Sequence, residues 1–272
     1  MQLLRSIISR TPLRGLWTYR GFIFGSVKRE FKAKYGNAVL GAAWTVLNPL
    51  AMILVYTIIF SRIMHSRLPG VDSTYGYSIY LCAGILTWGL FAEIMNRGQN
   101  MFLENANLIK KISFPRICLP LIVVLNSSLN FAIIFGLFIF FLIFSGNFPG
   151  LVFFSFIPII VLEVIFAISL AMIVGILNVF FRDVGQFAGI VIQFWFWLTP
   201  IVYPASILPD SVRQLLVYNP MAQIIQSYQT ILVNGEQPVW LNLLPTLLLS
   251  IFICILAIYL FRKRAGEMVD EL

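Results

Sequence analysis

An abrupt change from charged to uncharged sequence between Val27 and Pro49 constrains this chain most. The first half of that stretch is rich in lysine and arginine, whereas no charged residue occurs from Ala38 to Ser61. A helix of that length, at about 1.5 Å per residue, reaches about 36 Å and can cross a hydrocarbon core about 30 Å thick with some tilt. The sequence therefore predicts that the chain enters a membrane here.

The charged half of this stretch has the pattern of an amphipathic helix. Phe24, Val27, Phe31 and Tyr35 recur at spacings of three and four residues and form a narrow apolar stripe. Lysines flank the stripe, where their alkyl stems can lie along lipid while the ammonium groups stay in water. Glu30 stands four residues before Lys34, as in a modest helical ion pair. The pattern predicts a helix at the membrane interface.

The composition excludes a soluble globular domain. Hydrophobic residues make up 60% of the 272 residues and charged residues 11%, with a mean hydropathy of +0.90. A soluble domain needs a charged surface, whereas here the charges lie between long apolar runs. We therefore expect an all-α integral membrane protein built as a single transmembrane domain. Its predicted parts are a cytoplasmic N-terminus (1–37), a six-span core (38–261) and a cytoplasmic tail (262–272).

Six apolar runs supply the predicted spans, and the distribution of basic residues orients them. If both termini are cytoplasmic, 16 lysines and arginines lie inside and three outside, as the positive-inside rule requires. The Arg-rich, acid-poor N-terminus has no signal-peptide core, and a transit peptide is the alternative interpretation. The predicted spans are 38–61, 77–95, 117–145, 151–181, 187–203 and 241–261.

The connection between the fifth and sixth spans is long and carries no charge between Arg213 and Glu236. Leu208-Pro209-Asp210-Ser211 and Asn219-Pro220 both have the pattern of a helix start, and Asn234-Gly235 that of a helix end. About 14 helical residues reach only about 21 Å, too short to cross. Re-entrant helices in the outer leaflet and interfacial helices lying flat on the membrane both fit this pattern.

Catalytic and cofactor-binding patterns do not occur in the sequence. It has no Ser-His-Asp set, no paired carboxylates and no cluster of metal ligands, and its three cysteines have no CxxC spacing. None of the six lysines follows a Walker glycine pattern. We therefore expect no enzyme activity, metal or cofactor in this chain, and any ATP-driven work must come from a partner.

Glu163 is the acid that lies deepest in a predicted span. A charge at that depth costs about 2.5 to 3.5 kcal/mol on insertion scales, so such a residue usually faces a partner, a cavity or a proton path. A protonated or hydrogen-bonded carboxyl packed between helices is the alternative.

Several aromatic residues lie within or at the ends of the first, second and fifth predicted spans. Aromatic faces can stack on the C–H faces of sugar rings, although the same residues also suit an interfacial belt or helix packing. Trp195 and Trp197 are two residues apart and lie on different faces of a helix, so at most one faces a given conduit. The candidate conduit residues are Trp44, Tyr56, Trp88, Phe91, Trp195, Trp197 and Tyr203.

An ordered set of motifs resembles one family over almost the whole chain. The motifs are VKREFKAKYGNAVLGAAWTVLNPL, NANLIKKISFPR, NVFFRDV, FWFWLTPIVYP and YNPM. In this order they resemble the membrane subunit of type-2 ABC exporters for polysaccharides, the permeases for O-antigen, capsule and teichoic acid. The resemblance implies a homodimer with two separate ATPase subunits, which bind ATP and Mg, in the bacterial inner membrane. The cargo it implies is a lipid-linked polysaccharide, most often O-antigen, moving through a conduit between the two permeases.

The resemblance also implies that the N-terminal helix and the loop after the second span touch the ATPase. The candidate ATPase-coupling residues are Phe31, Lys34, Glu104, Lys110, Lys111, Arg182 and Asp183. A diphosphate-linked glycan would be drawn to cations at the membrane surface. The densest such group, and the candidate lipid-head-group site, is Arg20, Lys28, Arg29 and Lys32.

Two alternatives stay open. The first is an ABC permease for a lipid or small drug, and the second is an intramembrane acyl- or glycosyltransferase acting on the same carrier. An enzyme would need acids, histidine or metal ligands that converge at one interface. The outer loops offer only His65, Asp72, Asp210 and Glu236.

Overall fold

The computed structural model describes residues 19–35, 43–56, 58, 75–111 and 116–272. Within these ranges the chain forms helices and turns and no β-strand. Short 3-10 segments, Gly150–Ser155, Ala205–Ile207 and Leu216–Tyr218, lie between α-helices. The α-helices, numbered in chain order, are α1 Arg20–Tyr35, α2 Trp44–Tyr56, α3 Gly76–Gly98, α4 Met101–Glu104, α5 Ala106–Lys111, α6 Cys118–Phe144, α7 Phe156–Phe180, α8 Asp183–Trp197, α9 Asp210–Leu215, α10 Pro220–Gln229, α11 Trp240–Arg264 and α12 Glu267–Glu271.

Four helical segments in the described part of the chain are long and apolar enough to cross a membrane. They are Gly76–Gly98, Cys118–Phe144, Gly150–Phe180 and Trp240–Arg264, and each matches a predicted span within a few residues. Most of the side chains in α11 are exposed outside the bundle although they are apolar, and only 28% of the most apolar window of α6 is buried. This is the surface that a helix shows when its surroundings are lipid.

The first and fifth predicted spans are represented by shorter helices. Helix α2 has 13 residues, and most of the rest of the predicted span 38–61 lies outside the described residues. Helix α8 begins at Asp183, four residues before the predicted start, because an acid in the first turn favours the positive end of the helix dipole. It ends at Trp197 and not at Tyr203, because Pro200 disfavours helical geometry at Thr199.

Helix α3 forms the centre of the bundle and is the most buried of the long helices. It lies against α6, α7 and α10, and α7 also packs along α11. The contact between α3 and α7 depends on small residues. A Cβ atom added at Gly98 would lie 2.5 Å from the Cβ of Ala171, and one added at Gly175 would lie 2.7 Å from the Gly98 carbonyl oxygen. The two backbones can approach this closely only while both positions are glycine.

Hydrogen bonds at the two ends of α3 define the two ends of the bundle. Near the start of α3, the Tyr77 hydroxyl donates to the carbonyl oxygen of Val202 at 2.7 Å. Just beyond its end, the Gln99 carbonyl oxygen accepts from the Asn178 side chain at 2.9 Å. Helix α8 and the turns after it therefore run antiparallel to α3 between the same two ends. We call the end at Gly98 and Arg182 the basic end and the end at Gly76 the far end.

Helix α1 packs on α6. Ile23, Ser26 and Val27 are buried, whereas Phe24, predicted as part of the apolar stripe, is 67% exposed. Glu30 is held by hydrogen bonds to Arg97 and Asn126, and this contact sets the rotation that leaves Phe24 on the outer surface of α1. The role of the stripe at a membrane interface stays a prediction.

Helix α10 begins as the sequence predicts, and a π-helical turn, Thr230–Asn234, continues it to the predicted end at Gly235. The Asn219 side chain accepts hydrogen bonds from the backbone of Met221 and Ala222, and Gly235 has a left-handed φ of 66°. Helix α10 enters the bundle against α3 and α7, and its residues are mostly buried.

The three glutamines of α10 do not share one exposed face. Gln223 and Gln229 are buried and donate to the carbonyl oxygens of Leu216 (3.2 Å) and Pro200 (3.5 Å), while Gln226 is exposed. The two buried amides are turned inward because the segment before α10 offers them carbonyl acceptors.

Candidate functional site

A polar network joins α1 to the bundle at the basic end. Arg97 donates from Nη1 to Glu30 at 2.9 Å and from Nε to Glu93 at 3.1 Å. Asn126 donates to Glu30 at 2.5 Å, and Asn130, one turn further along α6, donates to Glu93 at 2.7 Å. One guanidinium thus holds two carboxylates in place, and two amides of α6 complete their hydrogen bonding. The position of α1 is therefore coupled to α3 and α6.

A second junction at this end is centred on Asn178, which is buried in α7. Its Nδ2 donates to the Gln99 carbonyl at 2.9 Å and to Asn100 at 3.2 Å, and its Oδ1 accepts from the Gly185 backbone at 3.0 Å. A Cβ on Gly185 would lie 2.7 Å from the Asn178 amide, so this bond needs glycine. The turn that leads into α4 is fixed in this way to the start of α8.

The predicted coupling residues lie on the surface of the basic end. Glu104, Lys110, Arg182 and Asp183 are exposed, and Phe31 is half-buried. The side chains of Lys34 and Lys111 lie outside the described part of the structure. The pKa of Glu104 is raised, first by partial burial and then by the charge of Glu30, while Arg97 opposes the rise. The structure therefore brings these residues to one end of the molecule without packing them into a single cluster.

The predicted lipid-head-group residues form the outer surface of α1. Arg20, Lys28, Arg29 and Lys32 are all exposed, and Arg29 donates from Nη2 to Ser26 Oγ at 2.9 Å. Their density on one helix surface favours an anionic ligand, because each cation adds to the same local potential.

Three of the predicted conduit residues meet in the interior of the chain. Trp88, Phe91 and Trp195 have ring centroids 5.2 to 6.1 Å apart, and Phe166 of α7 stacks on Phe91 at 5.9 Å. Phe91 is fully buried and Trp88 is 7% exposed, while Trp195 donates from its indole to Asn219 at 2.9 Å. This cluster is a packed core that anchors α8 and the start of α10 to α3.

The other conduit residues are placed differently. Trp197 is 60% exposed, on the opposite side of α8 from Trp195. Tyr203 is partly buried and donates from its hydroxyl to the Trp197 carbonyl at 2.7 Å. Trp44 and Tyr56 lie at the two ends of α2, and their side chains are outside the described residues.

The deep acid Glu163 has a partner that the sequence did not indicate. The Tyr228 hydroxyl donates to Glu163 Oε2 at 2.5 Å, and both residues are completely buried. Phe156 packs edge-on against the Tyr228 ring at 4.1 Å. Glu163 Oε1 has no hydrogen-bond partner among the described atoms. The pair fastens α10 to α7 about 10 Å below the first residue of α7, since seven residues of helix rise by that amount.

Metal binding is not supported by the described ranges, in which no three His, Cys, Asp or Glu side chains cluster. Cys82 and Cys118 are buried thiols without a disulfide partner.

Comparisons with known proteins identify the family of the chain. The family model described as "ABC-2 type transporter" matches residues 23–233. The chain belongs to the ABC-2 type transporter family. A protein named O-antigen export system permease protein RfbA from Klebsiella pneumoniae is 33% identical over 208 residues, covering 76% of this chain and 78% of its own.

Two further ABC-2 relatives cover more of the chain. A protein of the same name from Myxococcus xanthus is 29% identical over 262 residues, 96% of this chain and 98% of its own. The polysialic acid transport protein KpsM from Escherichia coli is 22% identical over 242 residues, 87% and 92% of the two chains. The resemblance found in the sequence motifs is therefore confirmed at the level of the family.

Sequence reasoning missed the side chains that hold this transporter domain together. Asn126, Asn130 and Asn178 are amides within apolar runs, and a polar group at membrane depth signals a partner because an unsatisfied one is costly. The presence of these amides in apolar runs could have indicated that each has a hydrogen-bond partner. The identity of the partner could not be predicted, because it depends on which helices pack together.

Proposed function

We propose that this chain is the permease subunit of an ATP-driven exporter that moves a lipid-linked polysaccharide across the bacterial inner membrane. The polysaccharide that we propose is O-antigen. The observation that carries the proposal is the similarity to a protein named as an O-antigen export permease over 96% of the chain. Similarity over that length includes the spans, the far-end segment and the basic end together.

The geometry of the basic end supports coupling to a separate ATPase. This chain has no Walker glycine pattern, so the work must reach it through a protein contact. The exposed residues of α4, α5 and the turn at Arg182 lie at the end where the Arg97 network fixes α1 to α3 and α6. A displacement of α1 or of the α4–α5 segment would therefore be transmitted to the spanning helices α3 and α6.

Six spans with both termini in the cytoplasm are the topology that we propose. Four helices are long enough by themselves; α8 with the turns after it covers the same distance as α3, and α2 lies within the first predicted span. Two copies with two ATPase subunits would leave a conduit between the permeases. The exposed Trp197 is then the best-placed aromatic residue for that conduit, while Trp88, Phe91 and Trp195 support its wall.

The head group of the carrier lipid would first meet the cations of α1. A diphosphate carries charge and several acceptor oxygens, and Arg20, Lys28, Arg29 and Lys32 offer exposed donors at the membrane surface. Replacing all four by alanine should weaken binding of a short-chain polyprenyl diphosphate, whereas unchanged binding would count against this role.

The test of the function is reconstitution with and without the ATPase subunit from the same organism. The chain alone in liposomes should hydrolyse no ATP, and the two subunits together should hydrolyse ATP and transfer lipid-linked polymer across the bilayer. A matched control is the same ATPase with a catalytically dead Walker mutation, which should abolish both activities. ATP turnover by the isolated chain, or polymer transfer without the ATPase, would contradict the proposal.

A further inference from the structure

A cavity of about 250 Å³ lies at the far end, between α3, the turns after α8 and α10. Its wall includes Tyr80, Pro200 and Gln229, and its rim includes Ser206, Gln226 and Asn234. The three rim residues are exposed, so the cavity opens at the surface of the molecule. No lysine, arginine, aspartate or glutamate lines it.

The walls of this cavity are held by hydrogen bonds and form a preorganised site. The Tyr80 hydroxyl donates to the carbonyls of Pro200 at 3.1 Å and Tyr203 at 2.9 Å, and Gln229 also donates to Pro200. Beyond the cavity lining, Asn219 caps the start of α10 and donates to Thr199 at 3.1 Å. A site whose walls are already ordered loses little conformational entropy when a ligand binds.

The rim carries hydrogen-bonding groups that no contact in the described structure uses. The side chains of Gln226, Asn234 and Ser206 make no hydrogen bond in the described structure. The Thr230 hydroxyl donates to the backbone carbonyl of Gln226, and the lone pairs of this hydroxyl stay free to accept. An amide offers two donors and one acceptor oxygen, and a hydroxyl offers one donor and two lone pairs. This combination matches the hydroxyl groups of a sugar, each of which both donates and accepts.

The volume of the cavity and the charge of its lining restrict the kind of ligand that it can bind. Ligand pockets usually measure about 300 to 1,000 Å³, so this cavity suits one ring-sized group and not an extended chain. Since no cation lines it, nothing in the cavity would offset the desolvation of an acidic sugar. A neutral sugar fits the lining better than a uronic acid or a phosphate group.

We infer that this far-end cavity, lined by Tyr80, Gln226, Gln229 and Asn234, is a binding site for one neutral sugar unit of the exported polymer. The inference rests on the proposed function, because it assigns a sugar contact to the segment where the polymer would leave. It goes beyond that function by locating a specific site inside each chain, apart from any conduit between two chains.

The test is binding of methyl glycosides to the complete permease–ATPase complex in nanodiscs, followed by saturation-transfer NMR titration. The neutral probes are the methyl glycosides of glucose, galactose, mannose, rhamnose and N-acetylglucosamine, and the charged probe is methyl glucuronide. At least one neutral glycoside should bind more tightly than the glucuronide. Gln226→Ala and Asn234→Ala should each raise its Kd by about two- to tenfold, the loss expected for one or two hydrogen bonds.

Gln214→Ala is the matched control, since Gln214 is exposed on α9 and does not line the cavity. It should leave the Kd unchanged. If either alanine variant fails to fold, Gln226→Cys blocked with a bulky neutral maleimide should abolish glycoside binding. Unchanged Kd values in these variants, or a glucuronide that binds as tightly, would overturn the inference.

Polymer transfer, measured on the same preparations, separates this inference from the proposed function. ATP-dependent transfer without glycoside binding at the cavity would defeat the inference alone. Glycoside binding in a complex that transfers no polymer would leave the site in place and defeat the proposed function.

Discussion

At the scale of single residues, the pair formed by Glu163 and Tyr228 determines how α10 is held. One oxygen of the buried Glu163 carboxyl accepts a hydrogen bond and the other has no partner in the described part of the chain. Loss of the remaining hydrogen bond would leave the whole carboxyl unsatisfied, and an unsatisfied buried group costs about 1 to 3 kcal/mol. Tyr228→Phe should therefore lower the free energy of unfolding by about that amount. Glu163→Gln keeps a carbonyl oxygen as acceptor and should cost less.

A double-mutant cycle tests this pair by thermal unfolding in nanodiscs. The loss in the double variant should be smaller than the sum of the two single losses, because Glu163→Gln only alters the acceptor of a hydrogen bond that Tyr228→Phe already removes. A cysteine at the buried Gln223 should also react faster with thiol reagents in Tyr228→Phe, as α10 loosens. Strict additivity with unchanged labelling would show that the contact contributes nothing.

Gly98 provides a second prediction, about the close approach of α3 and α7. Its substitution by alanine would place a Cβ 2.5 Å from that of Ala171, and overpacking of this kind costs about 1 to 3 kcal/mol. Gly98→Ala should therefore lower the melting temperature. Gly89→Ala, with open space around its Cβ, should leave it unchanged or raise it, since alanine favours a helix by up to about 1 kcal/mol.

The same contact offers a rescue experiment. Apart from the Ala171 Cβ, the nearest atoms to the added Cβ are 3.7 Å away, which is ordinary contact. Removing that Cβ in Gly98→Ala/Ala171→Gly should restore most of the lost stability. A double variant as unstable as Gly98→Ala would show that the cost arises elsewhere.

At the scale of elements, the position of α1 depends on one guanidinium. Arg97→Gln removes the cation that joins Glu30 of α1 to Glu93 of α3. Both carboxylates are partly exposed, so we expect a modest loss of stability and a larger loss of coupling. In proteoliposomes with the ATPase subunit, polymer transferred per ATP hydrolysed should fall while ATP turnover continues.

Lys263→Gln is the control for this experiment. Lys263 is also an exposed cation at the basic end, and it lies over the ring of Tyr259 without a carboxylate partner in the described contacts. Its removal should leave the transfer ratio unchanged. Equal effects of the two substitutions would show that the basic end responds to total charge and not to the Arg97 network.

The same elements show how far sequence reasoning reaches. Lengths, ends and caps follow from local physics, so four spans, the Asn219 cap and the Gly235 stop were predictable. The rotation of α1 was not, because periodicity alone favoured Phe24, whereas the contact of Glu30 with Arg97 and Asn126 decides which side faces α6. Such contacts join residues far apart in the chain and leave no local pattern.

In the candidate sites, too, some features could be predicted from the sequence and others depended on contacts between distant residues. Charged residues of the basic end could be assigned to one side by counting lysine and arginine, since topology depends on composition. The interior cluster of Trp88, Phe91 and Trp195 could not be separated from a conduit wall, because aromatic residues suit packing and sugar stacking equally. Only the arrangement of α3, α7 and α8 shows that these rings contact one another.

At the scale of the whole molecule, α1 and the C-terminal segment lie at the same end of the bundle. Helix α1 is tied to the basic end by Arg97, and the C-terminal segment is tied there by a hydrogen bond from Arg116 to the Ala265 carbonyl. The far end carries α10 and the cavity. Both ends of the described chain therefore share one side, and this side should be the cytoplasm because it carries most of the basic residues.

Cysteine labelling tests this topology directly. In a background with Cys82, Cys118 and Cys254 replaced by alanine, single cysteines are placed at exposed positions. With a membrane-impermeant maleimide on spheroplasts, whose inner membrane is intact, Gln226→Cys and Glu236→Cys should react at once. Lys110→Cys and Asp270→Cys should react only after permeabilisation, because their side chains lie at the basic end.

The buried Gln223→Cys is the internal control and should react slowly under both conditions. Labelling of Lys110→Cys or Asp270→Cys in intact spheroplasts would place the basic end outside and would be incompatible with a cytoplasmic ATPase.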